Sequence, residues 1–271
     1  MKNKQKKELA VCGFATVKKL EKNHPEKITR LFFTEEKAPL FGGLCKKLAK
    51  NHGIYNMKPA EELEKLSGTV HHQGVVAMIE APEVIPLDSD ITDSWVENGE
   101  NAVLLDRIGN ANNFGAIVRS AAYFGIKNIV IPLDEAQSTI TTSSYRVAEG
   151  GMEYVNIYSV RSSARLLEAV KGKMLRVGTD LQATKTVSEL KELVGATGTG
   201  ARGKPILIIL DGEYKEQLND YFASFNRYYM CANDKDEIIK TIQTIFENYR
   251  HFDIPRQLLP DVIANGFLHF N

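Results

Sequence analysis

Residues 102–131 constrain the fold more tightly than any other part of the chain. The apolar stretches 102–105 and 129–131 read as strands. Between them runs Asn112-Asn113-Phe114-Gly115-Ala116-Ile117-Val118-Arg119-Ser120-Ala121-Ala122-Tyr123-Phe124-Gly125. Ile117, Val118, Ala121, Ala122 and Phe124 recur at helical spacing, and Gly125 supplies the stop. Strand, loop, helix and strand in that order meet the requirement of a parallel βαβ unit. Ligands of open α/β sheets collect at the carboxyl ends of the strands, which puts Asn113 and Arg119 beside a candidate crevice. An amide and a guanidinium at such a place suit a phosphate or a sugar.

The same alternation continues downstream. Strands are expected at 129–132, 175–179 and 206–210, and helices at 114–124, 163–170 and 187–194, as in a doubly wound parallel sheet. Upstream, helices at 9–20, 44–52 and 60–66 and strands at 28–34 and 74–80 predict a separate compact α/β unit. Residues 81–101 hold Pro82, Pro86 and several acidic side chains but few apolar ones, the composition of a linker. The expected organisation is therefore a small α/β domain over 1–83, a linker over 84–101 and a parallel-sheet domain over 102–271. Residues 195–204 read as a loop, because no helix opens directly behind their glycines.

Charge is balanced overall, with 34 basic and 34 acidic side chains, but residues 1–83 carry 15 against 10. That excess of +5 falls in clusters, Lys2, Lys4, Lys6 and Lys7, then Lys18, Lys19 and Lys22, then Lys46, Lys47 and Lys50, which suit either a solvated face or a nucleic-acid backbone. No apolar stretch approaches the roughly 20 residues that cross a bilayer, and the first seven residues lack the apolar core of a signal peptide, so a cytoplasmic protein without a membrane partner is expected. Cys12, Cys45 and Cys231 have neither disulfide nor zinc spacing. The glycine fingerprint of a dinucleotide-binding oxidoreductase is absent behind the first strand.

Two blocks carry a family resemblance. Asn113-x-Gly115-x-x-x-Arg119-x-Ala121-x-x-Phe124-Gly125 and Arg146-Val147-Ala148-Glu149-Gly150-Gly151-Met152-Glu153-Tyr154-Val155 resemble the first part of the catalytic domain of TrmH-like SPOUT RNA ribose methyltransferases. His71-His72-Gln73-Gly74-Val75-Val76-Ala77 is similar to the end of the small RNA-binding domain that often precedes it, and Leu210-Asp211-Gly212-Glu213 to its second motif. The resemblance implies an α/β knot fold, a homodimer, S-adenosylmethionine as methyl donor, and methyl transfer to a ribose 2′-hydroxyl of tRNA or rRNA. It also implies catalytic roles for Arg119, Asn113 and Glu213, and cofactor contacts from Thr179, Leu210, Gly212, Met230 and Ile238.

A ribose hydroxyl is a poor nucleophile that must be held in line with the methyl group. A guanidinium cannot ordinarily accept its proton near neutrality, so Arg119 is read as a clamp on the adjacent phosphate and on developing alkoxide charge. The third family motif is replaced here by Met230-Cys231-Ala232-Asn233-Asp234-Lys235-Asp236-Glu237-Ile238-Ile239-Lys240-Thr241. This leaves a second reading open: an RNA-binding relative that no longer holds the methyl donor. The spacing of Ile238, Ile239, Ile242, Ile245 and Phe246 still predicts a closing helix. His71 and His72 are expected to be structural or solvated, and Tyr228 and Tyr229 to be core.

Overall fold

The computed structural model describes residues 8–180, 204–211 and 226–229. The chain divides into two compact units: Met1–Glu83 with Ile140–Met152, and Val84–Thr139 with Glu153–Asn271.

The first unit opens with β1 (Glu8–Cys12), α1 (Phe14–Asn23), β2 (Ile28–Phe33), α2 (Gly42–Lys50), β3 (Ile54–Met57), α3 (Ala60–Ser67) and β4 (Val75–Glu80). Its sheet order is β1-β4-β2-β3, with β4 antiparallel to β1 and β2, and β3 parallel to β2. The central strand β4 is apolar on both faces, as its position requires. Val75, Ala77 and Ile79 pack with Val17, Leu20, Phe41 and Leu44, while Val76 and Met78 pack with Cys12, Phe32 and Leu63. A side-chain period of two sends alternate residues to the two layers.

The helix expected over 9–20 is two elements. Leu9-Ala10-Val11-Cys12 is a short apolar run whose periodicity does not distinguish strand from helix. Antiparallel pairing of Glu8–Cys12 with β4 makes it a strand, and Gly13, at φ 92°, turns the chain into α1. That left-handed conformation favours glycine over any residue with a Cβ.

The chain continues through β5 (Ile85–Pro86), α4 (Ser89–Asn98), β6 (Ala102–Asp106), α5 (Ala111–Tyr123) and β7 (Asn128–Pro132). Then come α6 (Thr142–Val147), β8 (Asn156–Val160), α7 (Ser163–Ala169), β9 (Leu175–Asp180), β10 (Ile206–Asp211) and β11 (Asn226–Tyr229). Among the described residues the second unit's sheet has the order β11-β9-β10-β6-β7-β8-β5, and every pairing is parallel. β6 and β7 are buried along their whole length, as strands covered on both faces must be.

Two boundaries differ from expectation. Residues 84–101, read as a linker, hold β5 and α4 and lie in the second unit. Asp88 caps α4, Gly99 ends it in the left-handed conformation, and Trp95, 3 % exposed, packs edge-on against Tyr158 at 5.1 Å between ring centroids. Ile91 and Val96 pack against the same core as Trp95, and an average over acidic neighbours hides these few apolar residues. The second difference is 140–152, expected inside the 102–271 domain. Tyr145 of α6, 1 % exposed, belongs to the first unit's core, with Ile140 and Met152 packed against the same cluster. The helix expected at 187–194, the closing helix, residues 251–271 and any knotted crossing lie outside the described residues.

Candidate functional site

β6 ends at Asp106, whose carboxylate is buried and accepts a 2.7 Å hydrogen bond from Ser163 Oγ at the start of α7. Four residues later Asn110 caps α5, its Oδ1 accepting from the backbone N–H groups of Asn112 at 2.8 Å and Asn113 at 3.4 Å. This satisfies donors that a helix start otherwise leaves open. Phe114, Gly115, Ala116, Val118, Ala121 and Ala122 bury the apolar side of α5.

Asn113 lies in the first turn and is exposed; Arg119 is half-buried. Six residues correspond to about 9 Å along the axis and roughly 120° around it, so the two occupy different faces of one helix. Helical side chains lean toward the N-terminus, a direction that returns a long Arg119 side chain toward the turn holding Asn113.

The strand register brings two further candidates, Thr179 and Leu210, to the same edge. Asp211 of β10 pairs with Asp106 of β6, Ile209 with Gly178 of β9, and Tyr229 of β11 with Asp180 of β9. Thr179 and Leu210 follow the Gly178–Ile209 pair and so stand level on neighbouring strands. Gly212 and Met230 come immediately after β10 and β11, but they, Glu213 and Ile238 lie outside the described residues. Four adjacent parallel strands therefore end together at one edge, with α5 leaving from the same edge. The carboxyl ends of β9 and β10 thus lie at the sheet edge from which α5 leaves, the edge of an open α/β sheet where ligands collect.

Of the second block, residues 146–152 belong to the first unit. Arg146 accepts a hydrogen bond at its carbonyl from Thr16 Oγ1, and its buried Nε has no hydrogen-bond partner among the described residues. His72 is buried, its Nδ1 accepting from Gly74 N–H at 3.1 Å, which is the structural role expected. His71 is exposed. A cleft bordered by Asp88, Asp90, Trp95, Glu100, Asn128 and Tyr158 opens at the opposite end of the sheet, where β7 begins, and is separate from the motif residues. Sequence reasoning missed Asn110, although an Asn directly before an apolar periodic run is a helix-start signal.

Two family models match the chain. RNA 2′-O ribose methyltransferase substrate binding covers residues 10–85, and the SpoU rRNA methylase family covers residues 100–213. A Haemophilus influenzae protein described as an uncharacterized tRNA/rRNA methyltransferase is 35% identical over 58% of this chain and 44% of its own length. The Acinetobacter baylyi 23S rRNA (guanosine-2′-O-)-methyltransferase RlmB is 33% identical over 59% of this chain and 64% of its own. The matched part of the chain thus spans between two fifths and two thirds of these curated relatives. In fold, the SpoU methyltransferase AviRb from Streptomyces viridochromogenes, solved with AdoMet, superposes with a TM-score of 0.61 at 17% identity, covering 90% of this chain and 91% of that one. With the substrate-binding model preceding the methylase model, the order implied by the likeness of residues 71–77 to the family's small RNA-binding domain, this chain belongs to the SpoU family, the TrmH-like branch of the SPOUT superfamily.

Proposed function

We propose that the protein is an S-adenosylmethionine-dependent RNA 2′-O-ribose methyltransferase acting on tRNA or rRNA. The observation that carries this reading is the seating of Asn113 and Arg119 on an Asn110-capped helix, at the edge where β6, β10, β9 and β11 end together. The RlmB relative's ribose specificity and the AdoMet complex of AviRb support the same chemistry.

S-adenosylmethionine, when bound, supplies an electrophilic methyl group on a sulfonium; Thr179, Leu210, Gly212, Met230 and Ile238 are the residues proposed to hold it. The chain's other task is to present the sugar. The Asn113 carboxamide, exposed in the first turn, orients the ribose, together with Glu213. The Arg119 guanidinium clamps the neighbouring phosphate and offsets negative charge as the hydroxyl proton passes to solvent water, donating hydrogen bonds without giving up its own proton. The lysine-rich first unit, residues 1–83 with 140–152, selects the RNA for the methylase unit. The working form is a homodimer through the methylase domain, in the cytoplasm, and sedimentation at micromolar concentration reads the dimer as twice the chain mass.

Labelled S-adenosylmethionine and unmodified tRNA and rRNA transcripts test the reaction. The expected product is a 2′-O-methyl nucleoside after digestion. Arg119→Ala should keep cofactor binding and slow transfer by about a hundredfold or more, the usual cost of losing a group that meets developing charge. Calorimetry showing no heat at millimolar S-adenosylmethionine with folded protein would overturn the proposal in favour of a silent RNA-binding relative.

A further inference from the structure

The loop between β6 and α5 is fastened by the loop that follows β7, and one side chain does most of the fastening. Gln137 Oε1 accepts the Ile108 N–H at 2.9 Å, and Gln137 Nε2 donates to the Ile108 carbonyl at 3.2 Å. The carboxamide thereby treats Ile108 as a neighbouring antiparallel strand would, engaging both of its peptide groups. The Ser138 N–H donates to the same carbonyl at 2.9 Å, and Gln137 Nε2 also donates to the Ser138 carbonyl at 2.8 Å.

Other contacts fix the same two loops. Arg107 Nε donates to Asp134 Oδ2 at 3.3 Å, and Asp134 Oδ1 accepts the Ala136 N–H at 2.8 Å. A Cβ on Gly109 would stand 2.9 Å from the Ala136 carbonyl oxygen, so the loops approach more closely than any side chain there permits. Arg107 holds φ 58°, a conformation that a non-glycine residue keeps only where its surroundings enforce it. Ile108 precedes the Asn110 cap by two residues and Asn113 by five.

We propose that Gln137 is a positioning residue for methyl transfer, setting the height and direction at which the loop delivers Asn113 and α5 to the sugar. The inference rests on the catalytic reading of Asn113 and Arg119, and Gln137 acts only through the loop.

Gln137→Met keeps length and removes all three side-chain hydrogen bonds; Gln137→Glu keeps the shape and the acceptor for the Ile108 N–H but, while ionised, offers no donor to the two carbonyls. Amide hydrogen exchange, corrected for intrinsic rate, and steady-state methyl transfer to the accepted RNA are the two measurements. In Gln137→Met, Ile108 should lose protection while Leu104 and Val130 keep theirs. Its kcat should fall roughly tenfold, with KM for RNA changing less than about twofold, since small misplacements of reacting groups cost rate before affinity. In Gln137→Glu the carboxylate still accepts the Ile108 N–H, so Ile108 should stay better protected than in Gln137→Met, a contrast that general loosening of the fold does not produce. Unchanged Ile108 protection in Gln137→Met overturns the clamp. Lost protection with an unaltered kcat overturns the positioning role. If the unaltered protein transfers no methyl group to any RNA, the underlying catalytic reading fails, and the positioning role falls with it whatever Ile108 shows.

Discussion

Burial pushes the Cys12 thiol up to about 11, against the opposing influence of the Arg146 guanidinium, which favours the thiolate. The folded protein therefore holds a neutral thiol at pH values where the unfolded chain, with its ordinary value of 9.0, has released the proton. The sign follows from linkage: this contribution to stability is fully present below the unfolded value and is lost as the pH rises through the folded one. Between pH 9 and 11 the thermal midpoint should fall, and Cys12→Ala should flatten that part of the profile. Identical slopes in the two proteins would remove the thiol as the cause. Asp134 has the opposite sign. The Ala136 N–H, followed by the bond from Arg107, holds its carboxyl below the usual value, so its hold on the two loops is present above the ordinary carboxylate range and is lost on acidification through the lowered value.

Among the elements, α5 is both the most legible and the most consequential. Its periodicity, its Gly125 stop and the apolar strands either side are local signals, and the structure has a helix there between two buried parallel strands. That Asn113 and Arg119 share one helix followed from the same local signals. β3 and β8 were missed because Ile-Tyr-Asn-Met and Asn-Ile-Tyr-Ser-Val are short and lack clean alternation; what makes them strands is pairing with β2 and β7. Gln137 left no trace in the sequence, since a side chain that closes a loop 29 residues away has no characteristic spacing. The start of α5 can be tested by itself. Asn110→Ala leaves the Asn112 and Asn113 N–H groups without their acceptor and should cost about 1 kcal/mol. It should also increase exchange at those two amides, while Asn110→Asp, which retains an acceptor, restores protection. Equal exchange in all three proteins would mean that the cap does not hold the helix start.

For the whole molecule, the course of the chain matters more than the number of its units. The polypeptide leaves the first unit after Glu83, returns at Ile140 and leaves again after Met152. A boundary drawn in sequence at residue 83 therefore cuts through a core, because Tyr145 is buried in the same cluster as Val11, Leu20, Phe41 and Leu44. Removing a buried aromatic side chain of this size costs roughly 3–5 kcal/mol, a large share of what a small domain has in reserve. Tyr145→Ala in the full chain should accordingly lower the denaturation midpoint of the first unit, read from exchange at Val76 and Ala77, and leave Val103 and Leu104 of the second unit protected. The fragment 1–83 should melt below the same fragment supplied with a peptide of residues 138–154, and the peptide should raise its midpoint in proportion to the logarithm of concentration above the dissociation constant. A fragment 1–83 that melts at the full chain's temperature and ignores the peptide would show that α6 rests on the unit without completing it. If the peptide does stabilise the fragment, a substitution meant to affect the small domain can be made 60 residues beyond it in sequence, in the block that resembles the family's catalytic motif.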